Sequence, residues 1–248
     1  MKLKLISCEI LYREMCASVA RSPHLIDVEF MPKGLHDIAG KGMCERLQTA
    51  LDRVDESIYD AVILGYALCG LGLEGLTART KPLVLPRAHD CITLFLGSRA
   101  RYQEYFEENP GVYFKTSGWI ERGKGLDQLS SEEFKSKYGM AQSYEEMVEK
   151  YGKENADYLW GELGGYSKNY GKLTYIEMGI EPDGRFEQQT RDEAVERNLG
   201  FEKLRGDMRL IERLVNGDWE GGDFLIIQPG QRVVAKHDGS IIATEEAA

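Results

Sequence analysis

Lys2 to Ser7 alternates basic and apolar side chains, a period of two that predicts a strand, and this strand runs directly into Cys8. Ile10 to Ala20 then carries apolar residues at helical spacing. Leu25 to Met31 reads as a second strand, and Lys41 to Val54 as a helix with Met43, Leu47, Ala50, Leu51 and Val54 on one face. Tyr59 to Gly65 is a nearly continuous apolar run, as expected of a strand covered on both faces, and Lys81 to Leu85 is another, stopped by Pro86. Ile92 to Phe106 predicts a helix, and Gly111 to Trp119 a strand entering a glycine-rich turn. Ser130 to Tyr170 is rich in Glu, Lys and Tyr and has serine caps ahead of Glu132 and Glu145, which predicts two helices. Thr174 to Ile180 returns to a strand pattern, Arg191 to Leu199 and Gly206 to Val215 read as helices, and Phe224 to Ile227 reads as a late strand. Arg232 to Ala235 and Ser240 to Ala243 form a hairpin pattern turning at Asp238-Gly239.

Strands alternating with helices specify an α/β fold with a mostly parallel sheet, in a Rossmann-like layered architecture. The expected organisation is a single domain over residues 1–248, with 123–172 as an inserted helical segment or lid and a β-hairpin at the C-terminal end. Hydrophobic residues at 42% and charged residues at 29% fit an ordinary globular chain. A net charge of -10 argues against affinity for nucleic-acid phosphates or anionic lipid, so neither is expected as a partner. No apolar stretch approaches the roughly 20 residues of a spanning helix, and Met1 to Ile10 lacks the pattern of a signal peptide, which predicts a cytoplasmic protein.

That location changes the reading of the five cysteines, because reduced thiols are the default there and metal binding or catalysis becomes the role to test. Cys8, Cys69 and Cys91 each fall at or just past the carboxyl end of a predicted strand. In a parallel sheet all such ends open onto one edge, where α/β folds place their ligands. With His89 they make a soft donor set suited to zinc or an iron-sulfur cluster. For zinc, three of Cys8, Cys69, His89 and Cys91 would bind the ion and leave a position for water or a substrate thiol, with Asp90 or Glu14 as supporting group or proton acceptor. For a [4Fe-4S] cluster the three cysteines would hold three irons and leave the fourth open, a layout similar to that of quinolinate synthase and related cluster lyases. Cys16 and Cys44 lie in helical stretches, where a thiol is usually a small buried hydrophobe.

Around this set, Arg87 is a candidate clamp for an anionic substrate, Tyr66 and Trp119 for the pocket wall, and His36 for the same edge. The plain alternatives are surface charge for the arginine, aromatic core packing for Tyr66 and Trp119, and a cap or core role for His36. Gly70 to Gly75 spells a dinucleotide fingerprint after a strand, but only Leu76 to Thr80 separates it from the next strand, which leaves no room for the helix such a site needs.

Cys8 with Glu14, Gly-Leu-His at 34–36, Gly-Tyr-Ala-Leu-Cys-Gly at 65–70, Pro-Arg-Ala-His-Asp-Cys at 86–91, Leu-Gly-Ser at 96–98 and Ser-Gly-Trp at 117–119 form a recognisable set. Together they resemble domain-of-unknown-function family 1638 of bacteria and archaea. The resemblance implies that Cys8, Cys69, His89 and Cys91 belong to the family pattern and that Cys16 and Cys44 do not. It also implies an association with anaerobes and methanogens that use corrinoid-dependent methyl transfer. The functional expectation is a metal-dependent transferase or lyase: zinc activating a thiol or one-carbon substrate, or else a cluster enzyme acting on a small anion. A non-catalytic protein binding a metal, corrinoid or small ligand is the third reading. A small molecule, a thiol or a corrinoid protein is the expected partner.

Overall fold

The structure, a computed structural model, describes residues 1–109, 111–123, 148, 152, 153, 170–236 and 238–247, with the side chains of 36–41 outside that set. The helices expected over Ser130 to Tyr170 lie outside the described residues.

The α/β reading is met. Strands β1 (Lys2–Cys8), β2 (Leu25–Met31), β3 (Ala61–Gly65), β4 (Leu83–Pro86) and β8 (Phe224–Ile227) form a five-stranded sheet in the order β2-β1-β3-β4-β8. The first four are parallel and β8 runs antiparallel to β4. All five residues of β3 are buried, as its apolar run requires of a strand covered on both faces. Helices α1 (Tyr12–Val19) and α2 (Ala39–Asp52) connect β1 to β2 and β2 to β3. Because β2 and β3 flank β1 on opposite sides, right-handed crossovers place these two helices on opposite faces. On α2 the predicted stripe is the buried one: Met43, Leu47, Ala50 and Leu51 join the core.

Sequence reading missed a second sheet. Strands β5 (Val112–Lys115), β6 (Lys172–Glu177) and β7 (Gly200–Arg205) form a separate parallel sheet in the order β5-β6-β7. Its helices are α5 (Ser117–Arg122) and α6 (Arg185–Glu196), and α7 (Arg209–Val215) packs back against α1 and β3. Ile176 and Met178 of this second unit belong to the same core cluster as β1 and β3. The C-terminal hairpin is present as β9 (Gln231–Ala235) and β10 (Ile242–Glu246), its second strand starting two residues later than expected.

Two local expectations need correction. The single helix over Ile92 to Phe106 is broken into α3 (Cys91–Leu96) and α4 (Arg99–Glu108). Gly97 adopts φ 71°, the left-handed stop, and Ser98 caps the next helix through its hydroxyl to the Arg101 amide. Trp119 sits within α5 rather than in a turn, because Thr116 caps that helix at the Trp119 amide. Gly118 of α5 lies so close to the Ile10 carbonyl that an added Cβ would stand 1.7 Å from its oxygen. Gly118→Ala must therefore push the two segments apart and is expected to cost at least ~3 kcal/mol, read as a shift in urea midpoint.

Candidate functional site

In the order β2-β1-β3-β4, the chain leaves β1 toward one side of the sheet and β3 toward the other, which opens a crevice beyond their carboxyl ends. Cys8 is the last residue of β1, and Tyr66 and Cys69 follow β3. After β4, Cys91 opens α3 behind its N-cap Asp90, whose Oδ1 accepts from the Ile92 amide. The loop after β3 runs beside the one after β4, with the Leu68 amide donating to the Ala88 carbonyl and the Cys69 amide to that of His89. Cys69, Gly70 and Leu71 all take positive φ (46°, 69° and 72°), and the Gly72 amide closes this left-handed turn on the Leu68 carbonyl at 2.7 Å. Holding Cys69 and Leu71 in that region costs roughly 1–2 kcal/mol each. Such local strain is a hallmark of positions that serve a site.

The three thiols come within electrostatic reach of one another: Cys8 raises the pKa of Cys69, and both raise that of Cys91. Burial is the larger cause in every case. It pushes Cys8 up to about 12, and lifts Cys69 and Cys91 above the ordinary thiol value. Each sulfur also faces a donor. The Ile10 amide and the Tyr66 hydroxyl point at Cys8, the Ala67 and Cys91 amides at Cys69, and the Trp119 side chain at Cys91. These donors favour thiolate, against the desolvation that favours thiol. Lys33, 5% exposed, acts on Cys8 with its positive charge and lies 5.4 Å from the Trp119 ring centroid. Its backbone amide donates to Glu9 at 2.8 Å. The ammonium was not assigned to the site from sequence, and Trp119 was expected there as a pocket wall rather than as a donor to a sulfur. Lys33 follows Pro32 at the start of a short 3-10 segment that shows no periodicity in the sequence, and Trp119 reaches Cys91 from α5, which follows β5 of the second sheet.

Of the other sequence candidates, Tyr66 and Asp90 act on the thiols. Tyr66 is buried between Cys8 and Cys69, and burial with those two thiols raises its pKa. Asp90 is half-buried; burial raises its pKa, although the Tyr102 hydroxyl donates to it at 2.7 Å. His89 is exposed and lines a surface cavity with Tyr102 and Thr93. Arg87 spends its guanidinium on the Ser240 and Ile242 carbonyls of the hairpin. The side chain of His36 lies outside the described residues; its backbone is in a short 3-10 segment, Lys33–Ile38. Glu14 is fully buried on α1, near Arg13, Glu121 and Glu181 rather than the thiols. Cys16 and Cys44 are half-buried, and Cys44 packs against the core as expected. Among the described residues, no three His, Cys, Asp or Glu side chains converge tightly enough to hold a single metal ion. No described helix is long and apolar enough to cross a membrane.

Comparison with known families matches residues 30–215 to the one described as "Protein of unknown function (DUF1638)". A search of curated proteins finds no match.

Proposed function

We propose that this chain, which belongs to the DUF1638 family, is a metalloenzyme whose Cys8, Cys69 and Cys91 hold a [4Fe-4S] cluster at the crevice between β1 and β3. The observation that carries this reading is that three thiols, at or past the carboxyl ends of β1, β3 and β4, interact electrostatically, each with its own donor. A single zinc ion with bonds of 2.3 Å would draw three sulfurs to about 3.8 Å from one another. A cluster instead takes one cysteine at each of three corners and does not require the sulfurs to meet around one ion.

Held by three thiolates, a cluster supplies an iron with an open position, a Lewis acid toward a small anionic substrate. The chain's own residues supply the rest. Trp119 and the backbone amides donate to the sulfurs and set how much charge they carry. Lys33 offsets negative charge beside Cys8, and Tyr66 closes the floor of the crevice. This arrangement suits a lyase or transferase acting on a small molecule. Zinc on the same thiols, activating a thiol or one-carbon substrate, is the other metal reading.

The test is iron, acid-labile sulfide and zinc content of anaerobically purified protein. About four irons and as many sulfides per chain are expected, lost in Cys8→Ala, Cys69→Ala and Cys91→Ala but kept in Cys16→Ala and Cys44→Ala. About one zinc, lost in the same three variants, would replace the cluster with the zinc reading. Neither metal, in protein kept from oxygen and chelators, would sink both.

A further inference from the structure

A cavity of about 830 Å³ opens between α4 and the C-terminal hairpin, with His89 and Thr93 in its lining. That volume falls within the usual range for small-molecule sites. One wall is a pair of aromatic rings on α4: Tyr102 and Phe106 stack with centroids 5.8 Å apart and planes 17° from parallel. The Tyr102 hydroxyl is held by Asp90 at 2.7 Å, which fixes the ring, and Phe106 is 49% exposed. Thr93 of α3 also lines the cavity. It is 1% exposed, and its hydroxyl has no hydrogen-bond partner among the described residues. A buried hydroxyl left unpaired is costly unless something meets it.

The charged side chains in the walls are partnered before any ligand arrives, Glu107 by the side-chain amide of Gln103 at 2.8 Å. Arg99 donates to the Gly239 carbonyl at 2.9 Å and lies 3.8 Å from Asp223, while Lys236 stands beside Asp238. A strongly charged ligand would therefore gain little. An aromatic stack with one free face, a hydroxyl in need of a partner and an exposed imidazole at His89 select a different chemistry. We infer that this cavity binds a planar, uncharged heteroaromatic molecule, stacked on Phe106 and Tyr102 with a polar ring edge hydrogen-bonded to Thr93. The inference is independent of the metal reading, since it uses none of the cysteines.

The test titrates the full-length protein with riboflavin, followed by fluorescence quenching, and with adenosine, followed by saturation-transfer NMR. Saturable binding of at least one is expected. Phe106→Ala should weaken it about tenfold through loss of the stacking face, and Thr93→Val should weaken it further, while Cys69→Ala leaves it unchanged. Phe106 is half exposed, so its replacement tests the site without unfolding the protein even if Thr93→Val folds poorly. No saturable binding of either probe, or binding indifferent to Phe106→Ala, would overturn the assignment.

Discussion

Glu14→Gln is expected to stabilise the protein by about 3 kcal/mol above neutral pH and by very little at about pH 4. Glu14 is fully buried, and neither carboxylate oxygen has a hydrogen-bond partner among the described residues. Burial raises its pKa from 4.5 to about 7, helped by the negative charges of Glu181 and Glu121 and opposed by Arg13. Because the folded pKa lies above the unfolded one, the associated stability is complete below pH 4.5 and is lost as pH rises through about 7. The integrated loss over that window is the ~3 kcal/mol just given, and glutamine, which does not ionise, escapes it. Urea denaturation of both proteins from about pH 4 to about pH 8.5 gives the answer, because contributions from all other groups cancel in the difference. Parallel curves would mean that the carboxylate is stabilised by groups outside the described residues.

The primary sheet was legible because its strands differ from their surroundings in composition. The run Ala-Val-Ile-Leu at 61–64 has no polar alternative, and Cys8 ends β1 where its run stops, whereas Cys91 lies past the end of β4 and opens α3. The second sheet was not legible as a separate unit. Its edge strand β7 (Gly-Phe-Glu-Lys-Leu-Arg) carries three charges, and its mixed burial gives no apolar face to read. The break at Gly97-Ser98 was present in the sequence as a stop followed by a cap, but the apolar residues on either side continue a helical period across it. His89 illustrates a different limit. It is two residues from Cys91, which in a continuous strand would put both side chains on one face. The chain is extended only as far as Asp90 (φ -148°, ψ 175°) and turns into α3 there, so the strand geometry that the spacing assumed does not continue to Cys91. Lys33 joined the site through tertiary contacts alone, for which periodicity carries no signal, and so did the donor role of Trp119.

Metal affinity at the three thiols is expected to rise up to about a thousandfold per pH unit through neutrality. The pKa of Cys8 stands at about 12, and those of Cys69 and Cys91 are also raised, so in metal-free protein all three are thiols at pH 7. Ligation requires thiolates, and each proton displaced contributes a factor of about ten per pH unit. The same shift has an opposite consequence for the metal-free fold. Its thiols keep their protons while those of the unfolded chain ionise near 9.0, so the stability they contribute is intact below that pH and lost as pH rises toward about 12. Alkali therefore weakens the empty protein while it strengthens the loaded one, and the gap between their melting curves should widen above pH 9.0. Cadmium, a soft ion with a thiolate charge-transfer band, serves as the equilibrium probe: where binding draws all three sulfurs onto the ion, the slope of log affinity against pH should approach three, and fall to about two in Cys91→Ser. A slope near zero in the native chain would show that no proton is displaced, and would separate these sulfurs from any role as ligands. An unchanged slope in Cys91→Ser would remove that cysteine alone, leaving Cys8 and Cys69 as a pair that needs another donor.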